Sequence, residues 1–164
     1  MQVVAIVEDD AQGSRKLALL AGAGVGHAAV LRGPARPIEA PDLDLAIRYL
    51  PEVRVAIAVD LAPATLPAFA ELATYAGATA IVVETPALES VEPGEPLRTL
   101  PDDVIVLAAP TADPDGTFAG FVAAFAVRLD AGEAPADAWN ATLRALAVDV
   151  ISADPGRRTR PAAR

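Results

Sequence analysis

The chain has 164 residues, 53% hydrophobic and 21% charged, with a formal net charge of −9. That length suits one ordinary domain with its own core, and the apolar content excludes a disordered chain. The net charge has the wrong sign for a nucleic-acid backbone partner, and the absence of cysteine rules out disulfides, zinc–thiolate sites and thiol nucleophiles.

Aromatics are only 4%. The core must therefore come from Ala, Val, Leu and Ile, which suits a parallel sheet covered by small-faced helices. No basic leader opens the chain, and no apolar run approaches the roughly 20 residues of a membrane span. These features set the expectation of a cytoplasmic protein with neither membrane nor nucleic-acid partners. His27 is the sole histidine, so no His-based triad or multi-His metal site fits within one chain. It reads as a structural residue.

In chain order, Val3–Val7 is a short β-branched strand. Asp9 or Asp10 then caps a helix over Ala11–Ala21, with Leu17 and Leu20 inward. The glycines of Gly22-Ala23-Gly24-Val25-Gly26 follow a helix rather than a strand, so they read as a C-cap and turn, not a phosphate loop. His27–Leu31 is a second strand, and the proline-rich Gly33–Pro41 a loop. A helix is expected over Asp42–Leu50, capped by Asp42 and ended by Pro51, with Leu45, Ile47 and Leu50 inward. Val53–Val59 is nearly all apolar after Arg54, which predicts a central parallel strand. Pro63–Ala76 is a helix closed by Gly77, and Ala78–Val83 a fourth strand. Glu84–Asp103 holds four prolines and reads as an irregular connection with room for an edge hairpin. Val104–Ala108 is the fifth strand.

Two helices follow. Phe118, Phe121, Val122, Phe125 and Leu129 fall on one helical face, and Gly132 ends that helix. Pro135 suits the first turn of the next, whose inward stripe is expected at Trp139, Leu143, Leu146 and Val150. The alternation predicts an α/β fold, a three-layer α/β/α sandwich with a mostly parallel central sheet. It is read as a single domain over 1–153 with a basic flexible tail over 154–164.

The turn before the first long helix, Asp113-Pro114-Asp115-Gly116-Thr117, has two readings. In one, Asp113 is the N-cap, Pro114 the first helical residue, and Asp115 favourable to the helix dipole. In the other, free N–H groups at Asp115, Gly116 and Thr117 form an anion cradle, with a metal ion needed between the carboxylates.

The run from Gly116 through the Ala-rich helices to Val148 resembles the C-terminal signature of the ribokinase/PfkB carbohydrate-kinase family. That pattern is roughly D-T-T-G-A-G-D-x-F-x-x-G-F, then a helix, L-x-x-G and a second Ala-rich helix. Glu8-Asp9-Asp10-Ala11-Gln12-Gly13 resembles the family's G-D-D-x-x-G segment. The resemblance implies a ribokinase-like, Rossmann-like fold without the family's lid. It also implies ATP-dependent phosphoryl transfer to a sugar or nucleoside hydroxyl, with ATP and Mg2+ as cofactors. Asp115 would then be the catalytic base, and Asp113, Gly116 and Thr117 the nucleotide-binding turn; no protein metal ligands are assigned. Aligning Thr117-Phe118 with the motif's x-F places Gly116 where the catalytic aspartate stands, which implies weak or lost activity. The family's N-x-x-E magnesium motif is absent, since Asn140 is the sole asparagine.

Two alternatives stand beside this reading. The first is a non-catalytic nucleotide- or partner-binding homodimer, because a missing lid leaves a sheet edge to be covered. The second is a receiver-like phosphoacceptor domain: Glu8-Asp9-Asp10, Asp60 and Thr85 resemble the acidic strand end, phosphoacceptor and switch hydroxyl of receiver domains. Receivers also carry a lysine after the fifth strand, whereas the sole lysine here is Lys16.

Overall fold

The structure is a computed structural model that describes residues 1–50, 52–85 and 100–152, with side chains through 146. Five strands and five helices follow in order: β1 (Gln2–Val7), α1 (Ala11–Gly22), β2 (Gly26–Arg32), α2 (Ala40–Ile47), β3 (Val55–Val59), α3 (Leu66–Ala76), β4 (Thr79–Glu84), β5 (Ile105–Ala108), α4 (Thr117–Asp130) and α5 (Pro135–Ser152). This is a mixed α/β fold with parallel sheets, consistent with a Rossmann-like arrangement. The chain clusters into two compact units, Met1–Thr111 and a second from Ala112 onward. The 154–164 tail, Pro51 and most of the proline-rich connection lie outside the described residues.

Among the described residues of the first unit all strand pairing is parallel. β1 pairs with β2, and β3, β4 and β5 pair in that order as a second sheet. β4 is the buried centre of the larger sheet, with Ile81 fully buried and Val82 and Val83 nearly so. One face of that sheet, Ala58, Ala80 and Val82, packs with Leu66, Phe69 and Ala73 of α3 and Leu43 of α2. Its alanines let the helices sit close, as the low aromatic content requires. Among the described residues β3, expected at the centre, pairs only with β4, and Val59 is 58% exposed. Apolarity on both faces predicted burial on both; the Ala58 face is buried, whereas Ile57 and Val59 on the opposite face are exposed.

The helix ends follow local rules. Asp10 caps α1, its Oδ1 accepting from the Gly13 N–H at 2.7 Å. Gly13 is buried against the chain before the helix, and a Cβ there would lie 1.9 Å from the Glu8 carbonyl oxygen. α1, α3 and α4 each close on a left-handed glycine: Gly24, Gly77 and Gly132. Paired bonds such as Val25 N–H to Leu20 O and Gly24 N–H to Ala21 O satisfy the last carbonyls.

α2 departs from expectation at its start. The helix begins at Ala40 with Glu39 as N-cap, and Pro41 lies in its first turn. Asp42 is the third helical residue, accepting from the Glu39 N–H at 3.0 Å and taking a two-pronged ion pair from Arg36 at 2.6 and 2.7 Å. On this helix Leu43 and Ala46 are buried, and Leu45, expected inward, is exposed. Pro63–Thr65 forms a 3-10 turn ahead of α3, so the helix expected from Pro63 begins at Leu66.

In the second unit α4 and α5 pack as a helical pair. Phe121, Val122, Phe125 and Leu129 are buried as the spacing predicts. α5 is rotated from the expected stripe: Ala138 and Thr142 are fully buried, while Trp139 and Leu143 are exposed by 38% and 46%. Val150 lies outside the described side chains. The small Ala138 lets the helices approach, and Trp139 reaches across by its edge, with ring centroids 4.7 Å from Phe121 and 5.7 Å from Phe125. The Thr142 hydroxyl is satisfied by the Ala138 carbonyl at 2.7 Å.

Candidate functional site

Of the predicted site residues, Asp113, Asp115, Gly116 and Thr117 lie together in the turn that enters α4. The turn is closed by the Gly116 N–H donating to the Asp113 carbonyl at 3.2 Å. Gly116 has φ +66, a left-handed conformation, and is the N-cap residue. Pro114 therefore lies outside the helix, and Asp113 precedes the N-cap by three residues. The carboxylate caps the helix from there. Its Oδ1 accepts from the Phe118 N–H and its Oδ2 from the Ala119 N–H, both at 3.0 Å. These bonds, foremost that from Ala119, hold the Asp113 carboxyl below the usual carboxylate range.

The turn's chemistry follows from that arrangement. A helix N-terminus attracts anions through N–H groups that lack partners inside the helix. Here two of them face the chain's own carboxylate. Asp115, Gly116 and Thr117 are exposed. Asp115 adds a second negative side chain, and Gly116 presents no side chain.

The first unit holds the other acidic positions. Asp60 directly follows β3 with φ +53, and Thr85 directly follows β4. The Thr85 hydroxyl donates to the Asp60 carboxylate. The two are adjacent because β3 and β4 run parallel in register, Val59 opposite Val83. Asp9 forms an ion pair with Arg32 at 2.9 Å, and Asp10 is spent on the α1 cap. His27 lies exposed in β2, its Nδ1 3.3 Å from the Val25 carbonyl oxygen. Among the described residues no group of three or more His, Asp or Glu could hold a metal ion, and no helix is long and apolar enough to cross a membrane.

Sequence reasoning found each of these residues but missed the reach of Asp113. An N-cap aspartate bonds the second or third helical residue, whereas Asp113 reaches the second and third from three residues further back. The left-handed Gly116 folds the turn over to allow it. An Asp followed three residues later by Gly is the signal that carries this geometry.

Compared with known proteins, the chain matches no family model, no curated protein and no solved structure.

Proposed function

We propose that this chain is a non-catalytic, homodimeric α/β binding protein. In this reading it keeps the helical C-terminal segment of a ribokinase/PfkB-like scaffold without the phosphoryl-transfer centre. The helices and parallel strands form a three-layer sandwich of Rossmann-like topology, in a cytoplasmic setting. The observation that carries the reading is the Asp113 carboxylate on the Phe118 and Ala119 N–H groups. Phosphoryl transfer depends on positioned positive charge and donors around the phosphates. A phosphate arriving at this helix would have to displace Asp113 and then face two carboxylates. The residues at this turn do not fit a nucleotide phosphate. The apolar face of β3 that carries Ile57, 40% exposed, and Val59, 58% exposed, supports association with a second copy, since monomers rarely leave such apolar surface uncovered.

ATP turnover across a panel of sugars and nucleosides tests this, with Asp115→Asn beside the wild type. Neither protein is expected to turn over ATP above background. Wild-type turnover that Asp115→Asn abolishes overturns the reading. In a thermal-shift titration, ATP with magnesium is expected to leave the midpoint unchanged; a concentration-dependent rise would identify a nucleotide-binding protein instead.

One observation favours a second reading, a receiver-like phosphoacceptor domain: the Thr85 hydroxyl on Asp60 at paired strand ends. Against it stand the use of Asp9 by Arg32 and of Asp10 by Gly13. Beryllofluoride or acetyl phosphate binding that Asp60→Asn removes would establish it.

A further inference from the structure

The turn that enters α4 holds a reactive pair that its capping geometry leaves free. A five-membered ring can close between an aspartate carboxyl carbon and the amide nitrogen of the next residue. Closure needs a free carboxyl, an N–H on that nitrogen and no side chain crowding it. Asp113 is barred, because Pro114 has no N–H and the Asp113 carboxylate is held by the Phe118 and Ala119 amides at 3.0 Å. Asp115 meets the conditions. It is exposed and takes no part in that cap. It is also the chain's only aspartate followed by glycine, and the sole asparagine, Asn140, precedes Ala141 inside α5. Gly116 has no Cβ, and beyond its chain neighbours no atom lies within 4 Å of where one would stand. Its N–H donates to the Asp113 carbonyl at 3.2 Å, the long end of the range for such a bond, so the nitrogen is weakly restrained.

We infer that Asp115-Gly116 is a site of spontaneous isomerisation to isoaspartate. The Gly116 nitrogen attacks the carboxyl carbon of protonated Asp115. A C–N bond forms, and the amide proton leaves with the carboxyl hydroxyl as water, giving a succinimide. Water then adds to one of the two imide carbonyls. Opening at the side-chain carbonyl restores aspartate. Opening at the main-chain carbonyl breaks the original peptide bond and leaves the chain running through the Asp115 side chain, with a free α-carboxylate. One water is lost and one regained, nothing is oxidised or reduced, and the charge is unchanged. The backbone gains one carbon between Asp113 and the amides it caps. The Asp113 carboxylate reaches Phe118 and Ala119 across the left-handed Gly116, φ +66, so isomerisation releases the cap and loosens the first turn of α4. The chemistry is independent of the binding role proposed above and needs neither a ligand nor a second copy.

Incubation of the full chain at mildly acidic to neutral pH tests this, with isoaspartate located by electron-transfer fragmentation of the peptide that spans the turn. Labelling by an isoaspartate carboxyl methyltransferase counts it independently. Isoaspartate is expected to accumulate at position 115 and at no other aspartate. Asp115→Glu, which would need a slower six-membered closure, is expected to reduce it to background. Asp115→Asn is expected to react faster than wild type through the same ring, releasing ammonia and returning a mixture of aspartate and isoaspartate. In the isomerised fraction, hydrogen exchange at the Phe118 and Ala119 amides is expected to rise. A folded wild type that gains no isoaspartate at 115 overturns the inference, and reaction of the same protein in denaturant would then show that the turn holds the nitrogen away from the carboxyl. Isoaspartate at other aspartates to the same extent, or unchanged by Asp115→Glu, overturns it as well. Unchanged exchange at Phe118 and Ala119 overturns the release of the cap and leaves the isomerisation standing.

Discussion

Phe125→Ala is the sharpest test of the helical pair. Phe125 is 1% exposed, lies between Phe121 at 6.0 Å and Trp139 at 5.7 Å, and meets the indole at 89°. Truncating a buried phenylalanine costs about 3–5 kcal/mol. Two ring contacts are lost together, so the upper half of that range is expected. Native stabilities are about 5–15 kcal/mol, so the loss removes a large share. The control is Leu143→Ala. The sequence stripe makes Leu143 a core residue, which would cost about 2–5 kcal/mol. The structure leaves it 46% exposed, and the expected cost is below about 1 kcal/mol. Urea unfolding followed by fluorescence of Trp139, the sole tryptophan, measures both. A Phe125→Ala loss under about 1 kcal/mol, or a Leu143→Ala loss as large as that of Phe125→Ala, refutes the packing of α4 on α5.

The Arg36 pair, foremost by its hydrogen bonds, lowers the Asp42 carboxyl to about 2. An unfolded aspartate titrates near about 3.9, so this stability is fully present above that pH and is lost as pH falls through about 2. Arg36→Ala is expected to raise the Asp42 pKa in a carboxyl NMR titration. Asp113 has the same sign, its folded pKa lowered by the Ala119 and Phe118 amides. Thermal melts between neutral and strongly acidic pH are expected to show wild type losing more stability than Asp113→Asn below the unfolded value. Gly77→Ala should cost about 1–2 kcal/mol in denaturant unfolding, because φ is +67 and no atom within 4 Å would oppose the added methyl.

Local signals carried the elements well, and tertiary context decided the rest. The Asp10 cap, the glycine closures at Gly24, Gly77 and Gly132, and the Phe121/Phe125/Leu129 stripe are each set by a few adjacent residues, and all are legible. The face of α5 is not, because a hydrophobicity pattern weights Trp139 and Leu143 above Ala138 and Thr142. Close helix approach favours the smaller pair. The start of α2 is not fixed by local sequence, because Asp42 suits both an N-cap and the third position of a capping box, and Pro41 is compatible with either. β3 reads as buried on both faces by composition, yet Ala58 is buried and Val59 exposed, because composition registers apolarity and not which face is covered.

The turn at Asp113 shows why a motif resemblance and a site can part. The resemblance proposed for the segment from Gly116 onward rests on an apolar helix entered through a tight glycine turn. That feature belongs to packing, and α4 provides it with Phe121 and Phe125. The chemistry depends on what faces the first amides of the helix. A glycine-rich turn would leave them to a ligand; here Asp113 sits far enough back for its carboxylate to span two of them. The spacing also differs, because Phe118 and Gly120 are separated by one residue where the family pattern has two. The same helix end can hold a phosphate or a carboxylate, and in this chain the carboxylate is covalently present at an effective concentration that a free anion has to overcome. A ligand for this turn would therefore have to be cationic, or displace Asp113, before any reaction began there.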